Sequence, residues 1–269
     1  MAPLDALSEQ ILVRSDREKV ATLTLNRPSA LNALSEELLS SLQSEFDALA
    51  VDDSVKAVII RGSGRAFCAG HDLKQMTSAR QALDGGRASF TALFAKCARM
   101  MTSIRHLPQP VIAEVHGIAT AAGCQLVAAC DMAVSAQTAR FGVNGVNIGL
   151  FCSTPMVALS RNVQIKHAFE MLTTGDLITA ERAREIGLVN RVVAEDRISD
   201  EAKNLASQVA SKLASAVRVG KRAFYEQAEM SLDAAYAHTG RVITENMLHR
   251  DTAEGVAAFL EKREPEWPD

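Results

Sequence analysis

Short apolar runs rich in β-branched residues alternate along this chain with longer stretches in which apolar residues recur every three or four positions. Val20-Ala-Thr-Leu-Thr-Leu25, Val55-Lys-Ala-Val-Ile-Ile60 and Val111-Ile-Ala-Glu-Val115 are of the first kind and read as strands. Ile11-Leu-Val13 is expected to pair with the 20–25 run, which Asn26-Arg-Pro28 stops because proline cannot continue a ladder. Among the amphipathic stretches, Ser35 precedes Glu36 and Glu37 and is expected to cap a helix with Leu38, Leu42, Phe46 and Leu49 on one face. A longer helix is predicted over roughly 86–106, with Phe90, Leu93, Phe94, Cys97, Met101 and Ile104 inward and Pro108-Gln-Pro110 ending it. Met132-Ala-Val-Ser135 and Ala139-Arg-Phe141 add short strands. The segment from Gly142 to Gly149 reads as irregular, and Ser153 as the cap of a helix with Pro155 in its first turn.

Strand-then-helix units repeated in this way predict an α/β core, without a sequence repeat of fixed period. That core is expected to span residues 1–197. From Ile198 onward strand patterns vanish and Leu205, Val209 and Leu213 mark an amphipathic face, so 198–269 reads as a helical oligomerisation region.

Two joins between these elements carry the chemistry. In Arg65-Ala-Phe-Cys-Ala-Gly-His-Asp-Leu-Lys74 a loop follows the 55–60 strand, which Arg61-Gly-Ser-Gly64 breaks, and leads into a helix. Gly70 permits a tight turn, and a helix start leaves backbone N–H groups without intrahelical partners. The second join is His116-Gly117 followed by the small-residue run Ile118-Ala-Thr-Ala-Ala-Gly-Cys-Gln-Leu-Val-Ala-Ala-Cys130. Each is either an ordinary strand-to-helix turn or a place where an anionic oxygen binds. A phosphate loop is excluded, since Gly62-Ser-Gly-Arg65 lacks the following Gly-Lys-Ser/Thr.

Composition narrows the partners. With 269 residues, 48% hydrophobic and 23% charged, the chain has enough material for one large core. A net charge of −3 and a pI near 6.1, with no basic run, argue against nucleic acid. Cys68, Cys97, Cys124, Cys130 and Cys152 are odd in number and lack Cys-x-x-Cys spacing, which fits a reducing compartment and neither a disulfide framework nor a zinc site. No apolar run reaches about 18 residues, so no membrane span is expected. Met1-Ala-Pro-Leu-Asp-Ala-Leu-Ser-Glu-Gln10 does not read as a signal peptide, and the expected location is the cytoplasm or, as a mature chain, an organelle matrix.

Taken together, Asn26-Arg-Pro-Ser-Ala-Leu-Asn32, Ala66-Phe-Cys-Ala-Gly-His-Asp-Leu-Lys74, His116-Gly117 with Ala121-Ala-Gly-Cys-Gln-Leu126, and Ala129-Cys-Asp131 resemble the crotonase (enoyl-CoA hydratase/isomerase) superfamily across nearly the whole chain. Gly149-Leu-Phe-Cys-Ser-Thr-Pro-Met156, Phe259-Leu-Glu-Lys-Arg263 and Trp267 point to one subgroup within it. The resemblance implies an α/β spiral of ββα units with a C-terminal helical trimerisation region, assembled as a homotrimer or hexamer. It also implies an acyl-CoA thioester as substrate or ligand, no separate cofactor, and lyase or isomerase chemistry in fatty-acid metabolism.

By position the N–H groups of His71 and Ala122 would form the oxyanion hole for the thioester oxygen. Each pre-aimed donor is worth roughly 3 kcal/mol as that oxygen gains charge. Ser29, Ala30 and Leu31 would lie beside the pantetheine and diphosphate and Ala69 near the adenine, although Ser29 replaces a frequent lysine or arginine. Lys262 either reaches the CoA phosphates of a neighbouring subunit or is a solvated tail charge.

The departures are as informative. Gln125 and Gly145 occupy the positions of the two glutamates a hydratase uses, so efficient hydration by the usual route is not expected, acid–base groups contributing roughly 10²–10⁴-fold each. Glutamates restored at both positions are expected to restore hydration, unless Gly145 needs φ > 0. Three readings stay open: a crotonase-like enzyme with other chemistry, a non-catalytic acyl-CoA binding protein, and a carboxyacyl-CoA decarboxylase using His71. His71 is either a pocket group or an exposed loop residue. Cys152 is either a helix-start thiol of lowered pKa or a buried apolar one, and Asn144 and Asn147 either bind a polar acyl tail or form a turn. His116 reads as a turn residue and Asp131 as structural.

Overall fold

The computed structural model describes residues 10–267. The N-terminal segment judged above not to be a signal peptide lies, except for Gln10, outside the described residues. Strand β1 (Leu12–Arg17) pairs antiparallel with β2 (Val20–Leu25), Leu12 opposite Leu25 and Arg17 opposite Val20. Glu18 and Lys19 take φ of 52° and 65° in the two-residue turn, the left-handed geometry that suits strand twist. A short 3₁₀ turn, Pro28–Ala30, leads to α1 (Glu36–Leu49), where the Ser35 side chain accepts from the Leu38 N–H and Leu38, Leu39, Leu42, Phe46 and Leu49 are buried, as expected of the apolar face.

The chain then repeats strand, strand, helix. β3 (Ala57–Gly62) and β4 (Ala66–Cys68) precede α2 (Leu73–Ala79) and α3 (Arg87–His106); β5 (Val111–Val115) and β6 (Ile118–Thr120) precede α4 (Ala122–Ala129); β7 (Met132–Ala136) and β8 (Arg140–Gly142) precede a 3₁₀ turn, Asn144–Ile148, and α5 (Pro155–Asn162). After α6 (Ile165–Thr174), β9 (Ile178–Thr179), α7 (Ala180–Glu185) and β10 (Arg191–Val193) comes α8 (Ile198–Ala210). One sheet has the order β1-β2-β3-β5-β7-β10 and the other β4-β6-β8-β9. Each repeat therefore gives one strand to each sheet. The pairs between repeats are parallel, and apart from Glu114 the buried residues of β3 and β5 are apolar on both faces, as a sheet covered on both sides requires.

Several expectations need correction. β3 runs on through Arg61 and Gly62, because its neighbour β2 continues to pair as far as Leu25. Ala66–Cys68 and Ile118–Thr120 are strands rather than loop, three-residue pieces stabilised by pairing with each other. Ser153 caps nothing: its Oγ donates to the Phe151 carbonyl at 3.4 Å, and Thr154 precedes Pro155 without a side-chain cap. Met100 joins the buried face of α3, where Phe90 and Phe94 are only half-buried. Leu213 lies beyond α8 and precedes the next helix.

The chain forms two compact units, the first ending at Val209 and the second beginning at Ala210. The helix α8, expected with the C-terminal region, thus belongs to the first unit. Ile198, Ala202, Leu205 and Ala206 are buried, and Ser199 Oγ donates to the buried Glu114 carboxylate on β5 at 2.7 Å. The second unit holds α9 (Ala214–Gln227), α10 (Leu232–Leu248) and α11 (Arg250–Glu261). Phe224, Leu232, Tyr236, Ile243, Leu248 and Phe259 there are all more than 60% exposed. No helix among the described residues is long and apolar enough to cross a membrane.

Asn32 locks the entry to this fold. It is fully buried at φ 53°; its Oδ1 accepts from the Arg27 N–H at 2.9 Å, and its Nδ2 donates to the carbonyls of Ser63 at 2.9 Å and Ala66 at 2.8 Å. The 3₁₀ turn is thereby tied to the β3–β4 connection. Asn32→Ala leaves these buried groups bare and puts alanine in the left-handed region, so it should cost roughly 3 kcal/mol in urea denaturation. Asn32→Gly should cost measurably less, because it removes only the hydrogen bonds. A loss below about 1 kcal/mol for the alanine variant would contradict this role.

Candidate functional site

The two joins singled out in the sequence meet. Gly70 has φ 98°, and a Cβ built on it would lie 2.9 Å from Ala121 Cβ and 3.4 Å from the Ala122 nitrogen. His71 N, two bonds from Gly70 Cα, is therefore a near neighbour of Ala122 N. At Gly123 an added Cβ would overlap the Cys68 carbonyl oxygen, so backbone packs directly on backbone there. Thr120 Oγ1 donates to the Ala69 carbonyl at 3.2 Å and closes the join from the β6 side.

Both N–H groups are left over by the local pairing. Leu34 forms a single parallel bridge with His71, in which the Leu34 N–H donates to Gly70 O at 2.8 Å and Asp72 N–H to Leu34 O at 3.3 Å. A parallel bridge of this kind uses the groups on either side of His71 and leaves its own N–H unused. Ala122 opens α4, where the first N–H groups have no intrahelical acceptor. Among the described residues neither N–H donates to another group. Ala121 adopts φ 50° and ψ −119°, a conformation costing of order 1–3 kcal/mol for a residue with a side chain, and it aims α4 at the join.

The side chains around the pair divide into satisfied and unsatisfied groups. Asp72 caps α2 and meets Arg27 at 2.9 Å; burial acts to raise its pKa, but the Arg27 guanidinium and the N–H groups of Gln75 and Lys74 together hold it below the usual carboxylate range. His71 packs edge-on against Phe94, ring centroids 5.5 Å apart, and both its ring nitrogens are buried without a hydrogen bond, so it is not the exposed loop residue of one reading. Burial pushes its pKa below the ordinary 6.5; the Leu34 backbone pulls weakly the other way without bonding to it. Gln125 is 4% exposed, and its Oε1 has no partner.

The remaining candidates fall into place individually. Ser29 is exposed and Ala30 and Leu31 are half-buried in the 3₁₀ turn, and the Leu31 carbonyl accepts from the Ala69 N–H at 3.0 Å, so these two segments run side by side. Lys262 belongs to the second unit, where it ends α11 at φ 56°. Gly145 is buried and does not have the feared positive φ; the obstacle is steric, since a Cβ there would overlap the Leu150 carbonyl and lie 2.8 Å from Cys152 Sγ. Cys152 is buried and its pKa is raised, not lowered. Asn147 donates to the Gly175 carbonyl at 3.1 Å and so is held by α6. His116 bonds to the Gly64 carbonyl at 2.8 Å, and Asp131 accepts from the Val111 N–H at 2.6 Å, both structural as expected. Sequence reasoning did not single out Thr120 or Phe94 as neighbours of the join. Thr120, a polar residue within the small apolar run, is the signal that was available.

Comparison with known proteins finds relatives across nearly the whole chain. The family model described as enoyl-CoA hydratase/isomerase matches residues 15–269. Enoyl-CoA hydratase domain-containing protein 3, mitochondrial, of Rattus norvegicus is 42% identical over 251 residues, covering 93% of this chain and 82% of the relative. The crystal structure of enoyl-CoA hydratase from Mycobacterium smegmatis superposes with a TM-score of 0.92 at 53% identity, covering 96% of this chain and 99% of that one. That of human enoyl coenzyme A hydratase domain-containing protein 3 gives 0.91 at 41% identity, covering 96% and 100%. The subgroup indicated by residues 149–156 and 259–267 is thus that of domain-containing protein 3 and bacterial relatives.

Burial of a neutral His71 has a consequence for stability. Its folded pKa lies below the unfolded value, so its contribution is complete above about pH 6.5 and is lost as pH falls through the lower folded value. His71→Phe keeps an aromatic ring on Phe94 and removes the titrating group. Its melting temperature should therefore fall less than the parent's between pH 7 and pH 5. Equal slopes in the two proteins would contradict the burial of this imidazole.

Proposed function

Since the chain belongs to the enoyl-CoA hydratase/isomerase family, we propose that it binds an acyl-CoA thioester with the carbonyl oxygen on the N–H groups of His71 and Ala122 and stabilises charge developing on that oxygen. The observation that carries this reading is the pair of neighbouring, unengaged backbone donors. An oxygen becoming enolate-like is stabilised by roughly 3 kcal/mol per donor, and the dipole of α4 adds a smaller term of the same sign. Small residues at Ala121, Ala122 and Gly123 let a thioester approach the backbone. The turn at Ser29–Leu31, bonded to Ala69, is proposed to carry the CoA portion, with Lys262 of a neighbouring copy near its phosphates.

Acid–base chemistry is where the reading departs from hydration. Gln125 has no useful pKa and Gly145 no side chain, while the adjacent Asp72 is committed to Arg27 and the α2 cap. We therefore propose slow or absent hydration, with the protein acting on, or simply holding, an acyl-CoA whose conversion needs little beyond enolate stabilisation. The second reading, binding without turnover, is favoured by the same two residues.

Incubation of the pure protein with a panel of enoyl-, hydroxyacyl- and carboxyacyl-CoA thioesters, followed by mass spectrometry and calorimetry, tests this. At least one thioester should bind at micromolar concentration, and hydration of crotonyl-CoA should be at least about 10²-fold below that of a hydratase with both glutamates. Gln125→Glu alone should add little. The earlier expectation that Gln125→Glu with Gly145→Glu restores hydration is replaced: the new side chain at 145 must displace the Leu150 carbonyl, so the double variant should lose thermal stability and gain less than about 10-fold. Failure of every thioester to bind would end the reading.

We also propose that the second unit is a trimerisation element, supported by its exposed apolar side chains. The full chain should elute as a trimer or hexamer, and removal of residues 210–269 should yield aggregated protein. A well-behaved monomer of the full chain would refute it.

A further inference from the structure

The two N–H donors differ in what stands behind them. That of Ala122 opens α4, and the carbonyl of its own peptide, Ala121 O, accepts from the Gln125 N–H at 3.0 Å, so a helix of aligned peptides lies at its back. His71 precedes the α2 cap and has no helix behind its N–H. A chain of hydrogen bonds stands there instead. In a planar trans peptide the C=O and the N–H point in opposite directions, so a bond that fixes the one aims the other. The His71 N–H shares its peptide with the Gly70 carbonyl, which accepts from the Leu34 N–H at 2.8 Å. The Leu34 N–H shares its peptide with the Ala33 carbonyl, and that oxygen accepts from Arg27 Nη1. Two peptides thus stand head to tail between a guanidinium and the donor.

The head of this series is firmly held. The other arm of the guanidinium, Nη2, donates to Asp72 Oδ2 at 2.9 Å, and the Arg27 backbone N–H donates to the buried Asn32 side chain. Asp72 returns to the same place from the far side, since its N–H donates to the Leu34 carbonyl at 3.3 Å. The Arg27 and Asp72 side chains are 20% and 11% exposed, so this pair is screened less than one at the surface. A charged donor at the head of a hydrogen-bonded series polarises each member after it. The pairing matters for Asp72 too, which follows His71 in the chain: a bare carboxylate there would oppose negative charge growing on an oxygen at the His71 N–H.

We propose that Arg27 is a positioning residue: acting through the Ala33–Leu34 and Gly70–His71 peptides, it aims and polarises the His71 N–H. This rests on the thioester reading above and adds what makes one of its two donors effective.

Butyryl-CoA labelled with heavy carbon at the thioester carbonyl reports on this directly. Isotope-edited infrared spectra of the bound ester read that carbonyl in folded protein only, so a loss of stability by itself does not move the band. In the parent the band should shift to lower frequency on binding. Arg27→Met should lose most of that shift, and its affinity for butyryl-CoA should fall roughly 3–10-fold relative to its affinity for free CoA. Arg27→Lys, a single-point cation in place of the fork, should show an intermediate shift, and it decides the question by the same band should the methionine variant fail to fold. Arg27→Met combined with Asp72→Asn, which keeps an α2 cap and removes the bare carboxylate, should recover only part of the shift. A parental band in the folded Arg27 variants overturns the proposal while leaving the thioester reading intact. Full recovery in the combined variant does the same, since it would assign the effect to the charge of Asp72 alone. A parent that binds butyryl-CoA without a shift, or does not bind it, overturns both.

Discussion

Contact between the backbone at Gly123 and the Cys68 carbonyl is the constraint on which the rest of the site depends. Two strand-to-helix joins can share one small space only if neither brings side chains into it. Gly70 and Gly123 provide the absence of side chains, and the small Ala121 and Ala122 keep the gap between them narrow. The price is a left-handed Ala121, which the Thr120 clamp and the packing of α4 hold in place. Two N–H groups without an acceptor in the protein are thereby brought close together.

The polar groups of the first unit are used in two contrasting ways. Those that hold the frame are satisfied: Asn32 meets three backbone groups, Asp72 meets Arg27 and the α2 N–H groups, and Glu114 meets Ser199. The ring nitrogens of His71 and the Gln125 Oε1 are not. Such a distribution is what a preorganised site requires, since groups already bonded to the protein have nothing to offer a ligand.

Much of this was legible in the sequence, and the reasons for the remainder are physical. Long strands with β-branched runs, the Ser35 cap and the amphipathic face of α1 depend on local patterns and were read correctly, and the α3 face in part. The three-residue strands β4 and β6 were not, because small residues carry no period and their conformation comes from pairing partners some 50 residues away. Position 145 shows the same limit: glycine there answers to the Leu150 carbonyl, a contact that no local pattern encodes. The end of the first unit was placed too early because the buried carboxylate that fastens α8 lies on β5.

The buried cysteines give the closed fold a chemical memory of its own opening. Cys68 on β4, Cys97 on α3 and Cys124 on α4 have pKa values pushed up to about 12 by burial, so at neutral pH only about one thiol in 10⁵ is a thiolate at each. Oxidants and alkylating reagents attack the thiolate, and none of the three has solvent contact. Modification at Cys68 or Cys124 therefore records a separation of the two joins, and modification at Cys97 a departure of α3. Cys152, beside the Gly145 turn and slightly exposed, should report on that loop alone. Under oxidative exposure the sequence in which these sulfurs react becomes a map of which parts of the molecule breathe first, drawn without any added label.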